Sequence, residues 1–117
     1  IISGSELFGK AFEHFIVMEL RAYLSYRRRD EELSYWRSTS GFEVDAIIGN
    51  KLAIEIKATK MVAEKHLKGL GALSEEGMIK NYCVVSQDSE VRKIRNITIY
   101  PWKNFLELLW GDKLIKV

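Results

Sequence analysis

Residues 42–57 read as a β-hairpin with an unusual charge pattern. Phe42-Glu43-Val44-Asp45-Ala46-Ile47-Ile48 is a strand-like run, Gly49-Asn50-Lys51 has turn chemistry, and Leu52-Ala53-Ile54-Glu55-Ile56-Lys57 is a second run. The register follows from side-chain alternation, because a slip of one residue moves a whole set to the opposite face. With a three-residue loop at 49–51, Ile48 opposes Leu52 and Asp45 opposes Glu55. One face is then Val44, Ala46, Ile48, Leu52, Ile54 and Ile56, all apolar. The other is Glu43, Asp45, Ile47, Ala53, Glu55 and Lys57. A two-residue loop would set Asp45 against Ile54 and mix the faces. The hydrophobic pattern therefore selects the register that gathers Asp45, Glu55 and Lys57.

Two carboxylates at facing positions repel unless a positive charge lies between them. A hard divalent cation supplies one. Mg²⁺ takes oxygen ligands, and one or two carboxylates plus substrate phosphate often suffice. Asp45 and Glu55 are the expected metal ligands, with the Ile56 carbonyl as a third. Such a metal would activate water and neutralise charge growing on a phosphate. The Lys57 ammonium would orient the attacking water or stabilise the developing oxyanion. The competing reading is an exposed polar face carrying a Glu55–Lys57 ion pair. Glu43, on the same face, is a further candidate acid.

Composition narrows the function classes. The chain has 117 residues, 47% of them hydrophobic, enough for one domain with its own core. A lone cysteine, Cys83, excludes an internal disulfide, and no Cys/His grouping suggests zinc, which fits a reducing, cytoplasmic setting. No signal peptide or membrane-spanning apolar run is present, and no Gly-x-x-x-x-Gly-Lys-Ser/Thr loop argues for ATP binding. The net charge of +2 permits a nucleic-acid partner without requiring one. The chain begins Ile1-Ile2-Ser3, without methionine, and is expected to be part of a longer protein.

The remaining segments suggest a mixed fold. Residues 5–27 read as a helix with Ser5 as its cap and Phe8, Ala11, Phe12, Phe15, Ile16 and Tyr23 on its apolar stripe. Glu19 falls near the middle of that stripe and Glu13 at its edge. Either would serve as an extra acid, or Glu19 as half of a salt bridge to an arginine. Arg27 to Glu32 reads as a solvated charged turn. Leu33–Ser38 is a first strand, making a meander with the hairpin. Residues 62–76 read as a helix ending at Gly77, with Lys60, Lys65, His66 and Lys68 near the Lys57 strand. They form either a phosphate-contacting patch or an ordinary exposed helix face. His66 alone is weak evidence of catalysis. Asn81–Ser86 and Asn96–Tyr100 are strands, with Cys83 as inert core. Pro101 opens a last helix, Trp102–Trp110, expected to cover the sheet. Trp102 and Trp110 would mark an interface wherever that helix is left uncovered.

The resulting order, α-β-β-β-α-β-β-α, resembles the restriction-endonuclease-like, or PD-(D/E)xK, nuclease superfamily. Asp45, Glu55 and Lys57 match its Asp…Glu-x-Lys motif. Gly9-Lys10-Ala11-Phe12-Glu13 resembles the Gly-x-x-x-Glu start of its first helix, familiar from archaeal Holliday-junction resolvases, which favours Glu13 over Glu19. Within it, the chain is most similar to the C-terminal domain of unknown function on bacterial and archaeal AAA-type ATPases. That similarity rests on Phe12-Glu13-His14-Phe15, Glu19-Leu20, Tyr35-Trp36-Arg37, Glu43-Val44-Asp45, Glu55-Ile56-Lys57, His66-Leu67-Lys68-Gly69-Leu70 and Pro101-Trp102. Val44 stands where a proline often precedes the motif aspartate.

The resemblance implies an α/β fold, a central mixed sheet flanked by helices. It also implies a site at Asp45, Glu55 and Lys57 supported by Glu13, with Mg²⁺ or Mn²⁺ as cofactor. The expected partners are nucleic acid, DNA in the first instance, an AAA-type ATPase domain in the same full-length chain, and a second copy in a homodimer. No membrane is expected as a partner. Residues 1–117 would form one nuclease-like domain at the C-terminal end of that chain. Because fold does not dictate function, a non-catalytic DNA-binding or regulatory module, or an assembly module packed on the ATPase, stands beside the nuclease reading.

Overall fold

The computed structural model describes residues 4–115; Ile1, Ile2 and Ser3, where the non-methionine start falls, lie outside them. The order is α1 (Gly4–Tyr26), β1 (Leu33–Arg37), β2 (Glu43–Ile48), β3 (Leu52–Ile56), a 3₁₀ turn (Glu64–Leu67), α2 (Lys68–Ser74), β4 (Asn81–Ser86), β5 (Arg92–Ile94), β6 (Ile97–Pro101) and α3 (Trp102–Trp110). The strands form one mixed sheet, β1-β2-β3-β4-β6-β5. β1 to β3 are an antiparallel meander, β4 and β6 continue it in parallel, and β5 closes the far edge antiparallel to β6. The expected α/β class and mixed sheet hold, with β5 as an added short strand.

The hairpin register is the expected one at its turn. Ile48 pairs with Leu52, Ile47 with Ala53 and Ala46 with Ile54. Gly49 takes φ +55°, a left-handed conformation that glycine adopts without the penalty of a Cβ. Farther from the turn the expectation fails. Ser34 pairs with Ile47 and Trp36 with Val44, so β2 uses one more residue than β1 across this stretch. The extra residue is a β-bulge, which bends the strand and re-aims the side chains beside it. Val44 therefore joins the core on the opposite face from Ala46 and Ile48. The β2–β3 ladder ends at Ala46–Ile54, so Asp45 does not simply pair with Glu55.

Each face of the sheet has its own core. On one, α1 and α3 bury Phe12, Ile16, Leu20, Tyr23, Phe105 and Leu109 over Ala46, Ile48, Leu52, Ile54, Cys83 and Val85. On the other, Val62, Leu67, Leu70 and Leu73 cover Val44, Ile47, Ala53, Val84 and Ile99. Cys83 is fully buried, as an inert core thiol should be, and burial pushes its pKa up.

Two further expectations are corrected and a third holds in part. Ser5 lies inside α1 rather than capping it. The helix expected over 62–76 is a 3₁₀ turn followed by a short α2. Val62 donates its N–H to the buried Asp88 carboxylate and Ala63 is extended, so neither joins a helix. The connection 27–32 is exposed as expected at Arg27, Arg28, Asp30 and Glu32, but half-buried Glu31 bonds both Arg29 and Lys51. As expected, α3 covers the sheet. Trp102 meets Phe15 edge-on and Trp110 meets Tyr23, so both tryptophans pack inside the chain. Exposed apolar side chains lie instead on α1, at Leu7, Phe8, Phe15 and Met18. No helix among the described residues is long and apolar enough to cross a membrane.

Candidate active site

Glu55 precedes the last residue of β3, beside parallel β4, the end of a sheet at which α/β proteins commonly hold ligands. The β2 bulge shapes this end. Strand geometry turns the Ile56 N–H and C=O toward β2, beyond the last paired residues. There the Asp45 carboxylate takes the N–H, Oδ2 accepting it at 2.8 Å. The bulge thus converts Asp45 from a ladder residue into a side-chain acceptor at the mouth of the hairpin. On the other edge of β3, the Lys57 N–H donates to the Val85 carbonyl at 3.0 Å and holds the Glu55-Ile56-Lys57 run straight.

Glu55 is buried, only 6% exposed, which removes the reading of an exposed polar face. Burial and, next, the Asp45 carboxyl beside it push its pKa up to about 9, while Lys57 offsets only part of this. Glu13 reaches the same region from α1. Its pKa is raised by burial, then by Asp45, with Lys57 opposing and Glu43 adding. Lys57 is the cation that opposes the rise at both Glu55 and Glu13.

α2 closes the cleft from the other side. A Cβ at Gly69 would fall 1.9 Å from the Glu43 carbonyl oxygen, so only glycine lets the helix backbone seat on β2. His66 accepts the Ala63 N–H on Nδ1 at 2.9 Å. That bond leaves the proton on Nε2, a donor tautomer. Burial, then Lys65 and Lys57, lower the His66 pKa and keep the ring neutral near pH 7. The resulting cleft, about 220 Å³, is lined by Asp45, Glu55 and Lys57 together with Glu43, Lys65, His66 and Gly69.

The structure therefore brings together Asp45, Glu55, Lys57, Glu43 and Lys65 of the expected residues, with Glu13 within electrostatic reach. Lys60 is exposed and Lys68 faces a separate groove with Arg95. Glu19 is not a site acid. It accepts the Trp110 indole N–H at 3.2 Å, so its partner is a tryptophan and not an arginine. The reason is helix rotation. Phe8 and Phe15 are exposed, and the buried stripe is Phe12, Ile16, Leu20 and Tyr23, turned by roughly 60° from the expected one. His66 was expected beside Lys65 near the Lys57 strand, in a phosphate-contacting patch or an exposed helix face, whereas Gly69 was not legible as a site residue. The His66–Ala63 bond left no capping signature in the sequence, because alanine has no side-chain group to complete one.

No group of three or more His, Cys, Asp or Glu among the described residues is placed to hold a metal. The donors that fit a cation are two carboxylates, one of them buried beside the other without a neutralising partner, plus a strand-end carbonyl. That oxygen set suits a hard ion that keeps waters and substrate oxygens as further ligands.

A family model described as Domain of unknown function (DUF4143) matches residues 8–105. The chain belongs to this DUF4143 family. The match covers α1 through the first turns of α3, so the whole acidic cleft of this DUF4143 domain lies inside it. No curated protein and no solved structure matches the chain.

Proposed function

We propose that this DUF4143 domain hydrolyses phosphodiester bonds of nucleic acid, DNA in the first instance, at the Asp45/Glu55/Lys57 cleft with Mg²⁺ or Mn²⁺. The observation that carries the reading is the buried Glu55 beside Asp45 in an open cleft, an acid pair with too little positive charge around it. Asp45, Glu55 and the Ile56 carbonyl would hold the metal. When bound, the ion would lower the pKa of water and neutralise charge on the phosphate. Lys57 orients the attacking water and stabilises the oxyanion. The neutral His66 offers Nε2–H, and Lys65 its ammonium, to phosphate oxygens at the rim. Glu13 supports the site electrostatically. The similarity to PD-(D/E)xK nucleases in the Asp…Glu-x-Lys motif supports the same chemistry, in a cytoplasmic protein carrying an AAA-type ATPase domain and able to form a homodimer.

Calorimetry with Mg²⁺ and Mn²⁺, paired with cleavage of plasmid and branched DNA, tests this. Wild type should bind metal and cleave. Asp45→Ala and Glu55→Ala should lose both. Lys57→Ala should keep metal binding and lose about a hundred- to thousandfold in rate. Absence of metal binding in the wild type sinks the proposal.

One observation favours a second reading, a non-catalytic regulatory or assembly module on an ATPase: the exposed apolar stripe Leu7, Phe8, Phe15 and Met18 on α1. Under that reading the acid variants would leave the protein's behaviour unchanged, and Phe8→Ser/Phe15→Ser would alter it.

A further inference from the structure

A broad concavity lies at the opposite end of the sheet from the acid pair. It is a cleft of about 590 Å³ at the start of β3 and β4, lined by Lys51, Lys80, Lys93 and Lys113 and, among the described residues, by no carboxylate. The four lysines come from four separate segments. Lys51 closes the β2–β3 turn. Lys80 directly precedes β4, and its N–H donates to the Asn50 carbonyl while the Asn81 N–H donates to that of Lys51, tying the two strand starts together. Lys93 lies on β5 opposite Thr98 of β6. Lys113 lies just past α3, where its N–H closes onto the Leu108 carbonyl.

Charge around this cleft is unbalanced in the sense opposite to the acid site. Two acids beside the cleft's lysines are already paired. Asp112, beside Lys113, accepts from Tyr23 and Arg27. Glu31 is shared between Arg29 and Lys51. Most of the remaining acids in ion pairs are taken by arginines: Asp88 by Arg92, Glu64 by Arg95, Glu43 by Arg37. Lys80, Lys93 and Lys113 thus bring positive charge to one concave surface whose walls include Leu52, Tyr82 and Leu114. Low-dielectric walls around charge of one sign focus the field and draw in counter-ions. Amide and hydroxyl groups at Asn81, Asn96 and Thr98 line the cleft as neutral hydrogen-bonding groups. The volume falls within the range of about 300–1,000 Å³ typical of small-ligand sites.

We infer that this lysine cleft is a binding site for a phosphate-bearing polyanion, with Lys80, Lys93 and Lys113 as its principal contacts. The ligand is either a free polyphosphate, such as the tail of a nucleotide, or successive phosphates of a nucleic-acid strand. The site is separate from the acid cleft. Six residues of extended chain divide Lys51 from Lys57, roughly 20 Å at strand rise.

The test uses this chain in buffer containing a chelator, so that metal binding at Asp45 and Glu55 plays no part. Sodium tripolyphosphate is titrated by calorimetry and a labelled 20-base-pair duplex by fluorescence anisotropy over a range of salt. Wild type is compared with the triple variant Lys80→Gln/Lys93→Gln/Lys113→Gln and with Asp45→Ala/Glu55→Ala. All three lysines are exposed, so an unchanged melting temperature will confirm that the triple variant folds. Tripolyphosphate binding that weakens by about a hundredfold in the triple variant and is unchanged in the acid variant establishes a free-polyphosphate site. Duplex binding alone, with a log–log salt slope that drops by about 3 in the triple variant, establishes a nucleic-acid backbone contact. Failure of wild type to bind either probe, or equal binding by the triple variant, overturns the inference.

Discussion

Two shielded acids flank the β2–β3 hairpin, buried Glu55 at its open end and half-buried Glu31 beside its turn, and the two are treated in opposite ways. At the turn end, Glu31 has Arg29 at 2.6 Å and Lys51 at 2.7 Å, and these two cations hold its carboxyl well below the usual carboxylate range. At the open end, Glu55 has burial and another carboxyl beside it, and its pKa rises to about 9. Both are well shielded from water, with the Glu31 side chain 13% exposed and Glu55 6% exposed. The chain therefore has the means to neutralise a buried acid and applies them at one end only. A structural carboxylate receives its counter-charge from within the fold. Glu55 does not, which is the physical case for an external cation.

The sharpest way to break this contrast is to remove each acid in turn. Glu31→Ala leaves Arg29 and Lys51 facing each other with little solvent and should cost about 3–5 kcal/mol in urea unfolding. Glu55→Gln keeps the shape and removes only a proton that the metal-free protein already finds hard to lose. It should cost less than about 1 kcal/mol in chelator and abolish Mg²⁺ binding. Equal losses in stability would end the distinction between a structural and a functional acid.

Gly69→Ala comes next. The new Cβ meets the Glu43 carbonyl, a backbone atom that cannot rotate away. Moving α2 off β2 should cost about 3 kcal/mol and open the cleft, weakening metal binding at Asp45 even though no ligand has changed. Gly71→Ala, two residues along in open space, is the control and should be neutral or slightly stabilising.

The pH dependence separates the two ends without mutation. Glu55 has a folded pKa of about 9, above its ordinary value of 4.5, so the fold favours its protonated form. Its contribution is fully present below about 4.5 and is lost as pH rises through about 9. Glu31 has a depressed pKa, so its contribution is present above 4.5 and is lost as pH falls. Denaturant midpoints in chelator should therefore drift downward from pH 5 to pH 9, by on the order of 2 kcal/mol, and Glu55→Gln should flatten that drift. Saturating Mg²⁺ should flatten it as well, because the metal takes the place of the proton.

Much of this contrast was legible in the sequence. The hairpin register could be derived because the segregation of Ala46, Ile48, Leu52 and Ile54 from Ile47 and Ala53 leaves one consistent pairing. The bulge was not legible, since the extra residue is set by how β1 pairs with β2 and leaves no local mark at Asp45. β5 was missed for a related reason: Arg92-Lys93-Ile94 is too short and too polar to show alternation. The helix expected over 62–76 failed at its start because Val62 N–H and C=O answer to Asp88 and Arg92, partners some 26 to 30 residues away. The lysine cleft is the extreme case, built from four segments with no shared periodicity.

The smallest predicted effect concerns Glu13 and Glu19 of α1, both candidate extra acids in the sequence, with the nuclease resemblance favouring Glu13. Glu13 feels Asp45 and Lys57, and Glu19 holds Trp110. Glu13→Gln removes a negative charge from a partly solvated position near the cleft, so it should weaken Mg²⁺ binding by about tenfold or less and leave stability within about 0.5 kcal/mol. Glu19→Gln keeps a carbonyl acceptor for the indole and should cost about 0.5–1 kcal/mol with metal affinity unchanged. Because the two residues share one helix, a non-specific change in α1 would move both readouts together. Only a real separation of roles gives one variant an affinity defect and the other a stability defect. Reversal of that pattern would mean that the exposed Phe8 and Phe15 belong to the buried face after all, and that α1 is turned on the sheet.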